Sequence, residues 1–259
     1  MGRWIHRRRL CTRLRRRYCR THILRILCMA GALILGRRLG YGKVPMEPHN
    51  VPMVVLGASI LWFGWFGFNA GSQVMVDGVT VSAWVVTNLA TGVSAVTWLL
   101  MSWAHTGKPS IVGAATGAVA GLVAITPASG WVGPMAAIII GTAAGTICYA
   151  SVAFKNARKW DDALDVWGVH GMGGLTGAIL TGTLASPHIW DTGDGIEGME
   201  QQGISILGAI ISVAYAFSVT LVILKVMDLV WPGGIRVTPK EEEIGLDLAQ
   251  HGERAYVNE

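Results

Sequence analysis

The sequence has too few charged side chains for an ordinary soluble domain. Charged residues make up 14% of the 259 positions, whereas 52% are hydrophobic and 34 positions are glycine. Soluble domains carry about 25% charged residues, which keep their surfaces hydrated. The shortage argues against a water-soluble globular protein and indicates an integral membrane protein.

Cysteine is also scarce, and its spacing excludes two kinds of site. The four cysteines, Cys11, Cys19, Cys28 and Cys148, form no CxxC pair. This pattern supports neither a disulfide framework nor a zinc site. The sequence offers no nucleophile beside a base and no cluster of metal ligands. It therefore gives no support for an enzyme, a bound metal or a cofactor.

Acidic side chains are nearly absent from the first fifty residues. These fifty residues hold 13 of the 21 Lys and Arg but one acid, Glu47, and the rest of the chain has a net charge of −7. A basic head is compatible with nucleic acid or anionic lipid. Because it lacks a nucleic-acid-binding motif and continues into apolar chain, lipid is the favoured partner. A signal peptide is disfavoured by Arg25, Arg37 and Arg38 and by the lack of a cleavage site.

Long apolar runs follow the basic head. Six of them approach the roughly 20 residues that a helix needs to cross about 30 Å of hydrocarbon. Such runs indicate helices, because the strands of a membrane barrel are shorter and alternate in polarity. We predict an all-α integral membrane protein with spans near 52–72, 82–103, 110–127, 132–153, 164–184 and 203–228. A seventh apolar run, near 26–40, is short for a span.

Basic residues are confined to alternate connections between the six spans. The connections that contain Lys43, Lys108 and Arg158 carry positive charge, whereas the connections between them carry none. The positive-inside rule assigns the basic connections to the cytoplasm. We expect the tail after residue 230 on the same side, because six spans return the chain to its starting side.

A histidine lies among glycines in the fifth predicted span, in the segment DVWGVHGMGGLTG at residues 165–177. A charged imidazolium is costly in a bilayer, so His170 is expected to be mostly neutral and to face the bundle interior or a pore. The alternative is a hydrogen bond between closely packed helices. Asp161, Asp162 and Asp165 precede the span, where we expect them to cap its first backbone amides.

The first span carries a polar and aromatic face, in the segment ILWFGWFGFNAGS at residues 60–72. Trp65, Phe68, Asn69 and Ser72 share this face at helical spacing. Aromatic rings attract small cations, and a hydroxyl accepts hydrogen bonds from them. From periodicity alone, an aromatic belt at the membrane interface explains the pattern more simply.

Four motifs occur in a fixed order from about residue 31 to the C-terminus. They are PHNVPMVVLGASILWFGWFGFNAGS, GKPSIVGAATGAVAGLVAITPASG, DVWGVHGMGGLTGAILTG and GIRVTPKEEEIGLDLAQHGERAY. Together they resemble signatures of the Amt side of the ammonium transporter family, Amt/Mep/Rh. The resemblance implies an eleven-helix fold, made of two inverted five-helix repeats and a last helix, that assembles as a homotrimer. The six spans correspond to the second repeat and the last helix.

The resemblance also implies roles for individual residues. Phe68 matches one of two phenylalanines that gate the outer pore, Ser72 matches the hydroxyl of an outer ammonium site, and Trp65 lies on the same pathway. His170 matches the second of two pore histidines. Ammonium would lose its proton at the outer site, and ammonia would cross an apolar lumen. The implied function is ammonium transport for nitrogen uptake.

The tail resembles the cytoplasmic regulatory segment of the family, with Asp247 and His251 in its GLD and HGE motifs. This resemblance implies PII-type signalling proteins as partners. We therefore divide the chain into a basic head (1–30), a transmembrane transporter domain (31–230) and a cytoplasmic regulatory tail (231–259).

The head departs from the family pattern. The first four family helices and most of the fifth have no counterpart here, and His22, the candidate for the first pore histidine, is one residue out of register. An unfamiliar arginine-rich head favours a misread frame or a truncated gene. Two other interpretations stay open: an inactive fragment that assembles with full-length transporters, and a regulatory subunit that keeps the signalling contacts of the tail.

Overall fold

The computed structural model describes residues 29–186 and 198–254, and His22 lies outside these ranges. The described chain is helical and contains no strand. Its helices are α1 (Val51–Asn69), α2 (Gly78–Thr106), α3 (Ile111–Ile125), α4 (Pro134–Ala157), α5 (Gly173–Leu184), α6 (Gly198–Val230) and α7 (Pro239–Ile244). A 3₁₀ turn (Gly71–Gln73) follows α1, a π-helical turn (Trp167–Met172) precedes α5, and a second π-helical turn (Asp247–His251) follows α7.

The predicted all-α membrane fold is confirmed, and each of the six predicted spans overlaps a helix. In the described ranges, four helical stretches are long and apolar enough to cross a membrane: Val51–Gln73, Gly78–Thr106, Pro134–Ala157 and Ile210–Val230. Helix α3 is apolar but shorter, at about 22 Å. The fifth predicted span begins later than expected, because a loop and the π-helical turn precede α5. Of the seventh apolar run, residues 29–35 are helical.

Capping side chains explain where the helices begin. Asn50, Asp77 and Ser110 each accept a hydrogen bond from the backbone amide three residues later, at the starts of α1, α2 and α3. Proline occupies the first turn of α1 and α4, where its missing amide hydrogen is not needed. Gly107 ends α2 in a left-handed conformation with φ of 77°.

Glycines bring α2, α3 and α4 together at backbone distance. The Ala90 carbonyl oxygen of α2 is contacted from two sides: a Cβ atom at Gly121 of α3 would lie 2.7 Å away, and one at Gly141 of α4 would lie 2.6 Å away. Lipid is as apolar as leucine, so membrane helices associate through close van der Waals contact, which small residues permit. The three helices therefore form a tightly packed core, to which α1 and α5 attach.

Helix α5 is attached to this core by further glycines. A Cβ atom at Gly177 would collide with the Ala124 carbonyl oxygen of α3, and one at Gly173 would lie 3.0 Å from the Cys148 Sγ atom of α4. Helix α1 is peripheral in comparison. It contacts α2 and α3, and Asn69 at its C-terminal end is its one buried residue within the described structure.

Replacing Gly177 with alanine should destabilise the bundle, because the added methyl group would collide with the backbone of α3. Overpacking of this kind costs typically about 1–3 kcal/mol. The matched control is Gly64→Ala in α1, where a Cβ atom would meet no described atom within 4 Å. Thermal unfolding in detergent should show a lower midpoint for Gly177→Ala than for Gly64→Ala. Equal midpoints would contradict the close packing of α5.

Candidate functional site

Trp65, Phe68 and Ser72 form a cluster at the C-terminal end of α1, which we call the outer cluster. The Trp65 and Phe68 rings meet edge to face, with centroids 5.5 Å apart. Ser72, in the 3₁₀ turn, donates its hydroxyl proton to the Phe68 carbonyl oxygen. Its hydroxyl oxygen can therefore accept a hydrogen bond from another donor. Phe68 is 53% exposed and Ser72 is exposed, so both can be reached from outside.

Asn69 does not belong to the outer cluster, although helical spacing predicts that it shares a face with Phe68. Its side chain is 4% exposed, and its amide donates to the Thr87 hydroxyl of α2 at 3.0 Å. The α-helix also ends at Asn69, so Ser72 reaches the cluster from the following turn. The role of Asn69 is to hold the end of α1 against α2.

Trp65 is held by Thr126, a residue that the sequence pattern does not mark. Its indole Nε1 atom donates to the Thr126 hydroxyl at 2.8 Å, and Thr126 caps the C-terminal end of α3. The Thr126 hydroxyl proton is donated in turn to the Leu122 carbonyl oxygen at 2.6 Å. The pair therefore holds the outer cluster against α3. In the sequence, Thr126 is one of many threonines in apolar runs, and nothing marks its partner.

His170 lies half-buried in the π-helical turn that leads into α5. This turn is backed by α4: a Cβ atom at Gly168 would lie 2.7 Å from Val152 Cγ2, and the Cys148 thiol lies 3.7 Å from the Val169 carbonyl oxygen. Single π-helical turns are frequent at functional sites, because they change the direction of side chains within a helix. The histidine is thus carried on an irregular turn with a rigid support.

Helix α3 connects the outer cluster to the π-helical turn with His170 and the following α5, residues 167–184, which we call the histidine helix. Thr126 at its end contacts Trp65, and Ala124 packs against Gly177 of α5. The outer cluster and the histidine helix are therefore both held by α3, and the same packed core sets the position of each.

Comparison with known proteins identifies the family. Residues 26–256 match the family model described as Ammonium Transporter Family. The chain belongs to this family. It is accordingly a multi-pass membrane protein, and its relatives are transporters.

The chain spans about half the length of the curated relatives it matches. It is 44% identical over 229 residues to ammonium transporter Amt1 of Archaeoglobus fulgidus. The aligned residues cover 88% of this chain and 58% of the relative. It is 46% identical over 230 residues to the ammonium transporter of Aquifex aeolicus, with 88% and 53% covered. The crystal structure of Candida albicans Mep2 superposes with a TM-score of 0.79 at 38% identity, covering 88% of this chain and 53% of that one. A Sensor Amt Protein structure gives a TM-score of 0.79 at 32% identity, with 88% and 57% covered.

Asp161, Asp162 and Asp165 precede the histidine helix, and each has a different partner. Asp162 accepts a hydrogen bond from the Trp167 amide at 2.7 Å, so its predicted capping role is confirmed. Asp161 instead pairs with Arg38 at 2.6 Å, and Asp165 pairs with Lys155 at 2.6 Å. The sequence prediction was wrong for these two side chains, because their partners are distant in the sequence or lie on another helix.

Arg236 and Glu242 attach the C-terminal tail to the segment before α1. Arg236 donates to the carbonyl oxygens of Leu35 and Arg37 at 2.7 and 2.6 Å, and to Glu242 at 3.0 Å. The other Glu242 carboxylate oxygen accepts from the Leu39 amide at 2.7 Å. These contacts place the tail and residues 35–39 at the same end of the bundle.

Asp247 and His251 lie further along the tail, in the π-helical turn after α7. His251 is exposed and Asp247 is half-buried. The contacts between Arg236, Glu242 and residues 35–39 precede this turn. Asp247 and His251 therefore follow the part of the tail that is bound to residues 35–39.

Replacing Thr126 with valine should loosen the outer cluster, because the Trp65 indole would lose its acceptor. A lost hydrogen bond of this kind costs about 0.5–1.5 kcal/mol. Thr116→Val is the matched control, because the Thr116 hydroxyl, also on α3, bonds to Val112 of its own helix. In a double-mutant cycle with Trp65→Phe, measured by thermal unfolding, Thr126→Val should couple and Thr116→Val should not. Equal coupling energies would exclude this role for Thr126.

Proposed function

We propose that this chain provides a transmembrane pathway for ammonium or ammonia, with His170 as the central polar group of the pathway. One observation carries the proposal: the ionisable ring of His170 lies half-buried in the π-helical turn that leads into the glycine-rich helix α5, and α3 and α4 pack closely against α5. A neutral imidazole offers one hydrogen-bond donor and one acceptor, which suits a small molecule such as ammonia. Membership of a family whose named relatives are ammonium transporters supports the same function.

The outer cluster is proposed as the site that recruits the cation. The exposed Phe68 ring presents an electron-rich face, and the Ser72 hydroxyl oxygen can accept one N–H of ammonium because its own proton is donated to the backbone. Trp65 would complete the aromatic surface. Crossing the apolar interior as the ion is costly, so ammonium would pass one proton to water at the exposed outer cluster, and neutral ammonia would proceed. The proposal is transport, without chemical conversion of the substrate.

The tail is proposed as a cytoplasmic regulatory segment, residues 231–259, joined to a transmembrane domain, residues 31–230, with a basic head at residues 1–30. The positive-inside rule supports the cytoplasmic side, because the tail contacts the basic segment that contains Arg37 and Arg38. Asp247 and His251 are proposed as contacts for a PII-type signalling protein. A homotrimer in the cell membrane is the proposed assembly.

Uptake of labelled methylammonium by cells that lack their own transporters tests the proposed pathway. His170→Ala and Phe68→Ala should each lower uptake by about tenfold or more, equivalent to about 1.4 kcal/mol in the barrier. His170→Ala removes the polar group of the pathway, and Phe68→Ala removes the ring that is proposed to recruit the cation.

The controls for uptake replace another phenylalanine and another histidine with alanine. Phe63→Ala removes an exposed ring from α1, and His105→Ala removes an exposed histidine from the far end of α2. Both should retain uptake at equal membrane abundance. If the unaltered chain shows no saturable uptake, or if the controls lose as much as the test variants, the proposed function is wrong.

Replacing Glu242 with glutamine should loosen the tail, because Glu242 bonds the Leu39 amide and Arg236. Hydrogen exchange measured by mass spectrometry should then be faster in the peptide covering residues 35–41. Glu243→Gln is the matched control, since Glu243 is exposed beside it. Unchanged exchange in Glu242→Gln would show that the carboxylate does not hold the tail.

The same contact should weaken in acid. The hydrogen bond from the Leu39 amide, followed by that from Arg236, holds the pKa of Glu242 below its ordinary value of 4.5. A lowered pKa means that the contact contributes fully above pH 4.5 and is lost as pH falls through the lowered value. Exchange in residues 35–41, corrected for its intrinsic pH dependence, should therefore rise below pH 4.5 in the unaltered chain. The rise should be smaller in Glu242→Gln.

A further inference from the structure

Lys155 is a buried lysine that the proposed pathway does not use. It lies in the last turn of α4 and is 4% exposed. Burying an ammonium group is costly unless it is paired and hydrogen-bonded. Its Nζ atom lies 2.6 Å from Asp165 Oδ1 and donates to the Asp162 carbonyl oxygen at 3.0 Å. The position of Lys155 is therefore defined by the two residues that bound one turn.

The turn from Asp162 to Asp165 has an unfavourable conformation that Lys155 stabilises. The Asp165 amide donates to the Asp162 carbonyl oxygen at 3.2 Å, and Asp165 has φ of 53°. Left-handed backbone is unfavourable for a residue with a side chain. Lys155 bonds the carbonyl at one end of the turn and the carboxylate at the other, so it favours this conformation over alternatives.

The same turn fixes the backbone that carries His170. The Asp162 carboxylate accepts from the Trp167 amide at 2.7 Å, and the Asp165 carbonyl accepts from the Val169 amide at 2.8 Å. His170 is the next residue. The two aspartates thus hold the first half of the π-helical turn, and Lys155 holds both aspartates.

Lys155 lies at the C-terminal end of the α4 face that packs against this turn. Cys148, Val152 and Lys155 are spaced by four and three residues, which places them on one side of the helix. Cys148 contacts the Val169 carbonyl and Val152 packs against Gly168. The first two contacts limit how closely the turn approaches α4, but a thiol is a weak hydrogen-bond donor and the Val152 contact has no preferred direction. The charged contact of Lys155 fixes its position along the helix.

We propose that Lys155 is a positioning residue, which with Asp165 sets the rotation of the π-helical turn against α4 and thereby the direction of the His170 ring. The ring's orientation can be tested whether or not the chain transports ammonium. The consequence for transport rests on the proposed function.

The test observes the imidazole of His170 directly. The protein is labelled with ¹⁵N-histidine, reconstituted in nanodiscs and measured by NMR, and His170→Gln assigns the resonance. Lys155→Met keeps an unbranched side chain, one atom shorter, but removes its charge, and it should shift or broaden the His170 signals. Lys155→Arg keeps the charge and should restore most of the original spectrum. Lys225→Met, at an exposed lysine of α6, is the control and should leave the His170 signals unchanged.

Asp165→Gly covers the case in which Lys155→Met does not fold. Glycine readily adopts the left-handed conformation of residue 165, so this variant removes the carboxylate and keeps the turn. It should change the His170 signals in the same direction as Lys155→Met. Unchanged His170 signals in either folded variant would overturn the proposal, as would a Lys225→Met change of equal size.

Uptake measurements then separate a positioning role from a structural one. Lys155→Met should lower the maximal rate of methylammonium uptake several-fold and leave the apparent KM nearly unchanged, because the outer cluster is untouched. An equal loss in Lys155→Arg would contradict the role of the charge. If the unaltered chain shows no uptake, the proposed function fails, but the NMR result still decides the role of Lys155.

Discussion

The structure depends on the close approach of α5 to α3 and α4. Gly177 and Gly173 allow this approach, because a side chain at either position would collide with or crowd the neighbouring helix. Membrane helices cannot rely on the hydrophobic effect to associate, so backbone-distance packing is the main source of their fixed geometry. The position of His170 follows from this packing, because the π-helical turn that carries it leads directly into Gly173 and is itself packed against Val152 of α4 through Gly168. A looser helix would leave the imidazole without a defined direction.

Charged side chains fix the end of the bundle from which the histidine helix begins. Lys155 pairs with Asp165, and Arg38 pairs with Asp161. In the tail, Arg236 pairs with Glu242, and both bind the backbone of residues 35–39. Burial raises the pKa of Asp161, but the side-chain and backbone hydrogen bonds from Arg38 outweigh this effect and hold the pKa below its ordinary value. The tail, the segment before α1 and the loop before α5 are thus connected by hydrogen bonds.

The sequence predicted the helices better than the contacts between them. The apolar runs of α1, α2, α4 and α6 are long enough to indicate membrane helices by themselves, whereas the π-helical turn has no periodicity signal that differs from a continuing α-helix. Helical spacing grouped Asn69 with Phe68, but the amide of Asn69 finds a partner on α2. Thr126 and Lys155 were missed because their roles depend on partners across helix boundaries, Thr126 being 61 residues from Trp65. Side-chain pairs of this kind become visible when the helices are packed.

Reconstitution of the purified chain into proteoliposomes tests the central claim, that His170 lies on a pathway for ammonium or ammonia. An inward ammonium gradient is applied while the internal pH and the membrane current are recorded. We predict a saturable response from the unaltered chain that is lost in His170→Ala and retained in His105→Ala, with equal amounts of inserted protein. A response that is the same in protein-free liposomes, or that is unchanged in His170→Ala, would contradict the account.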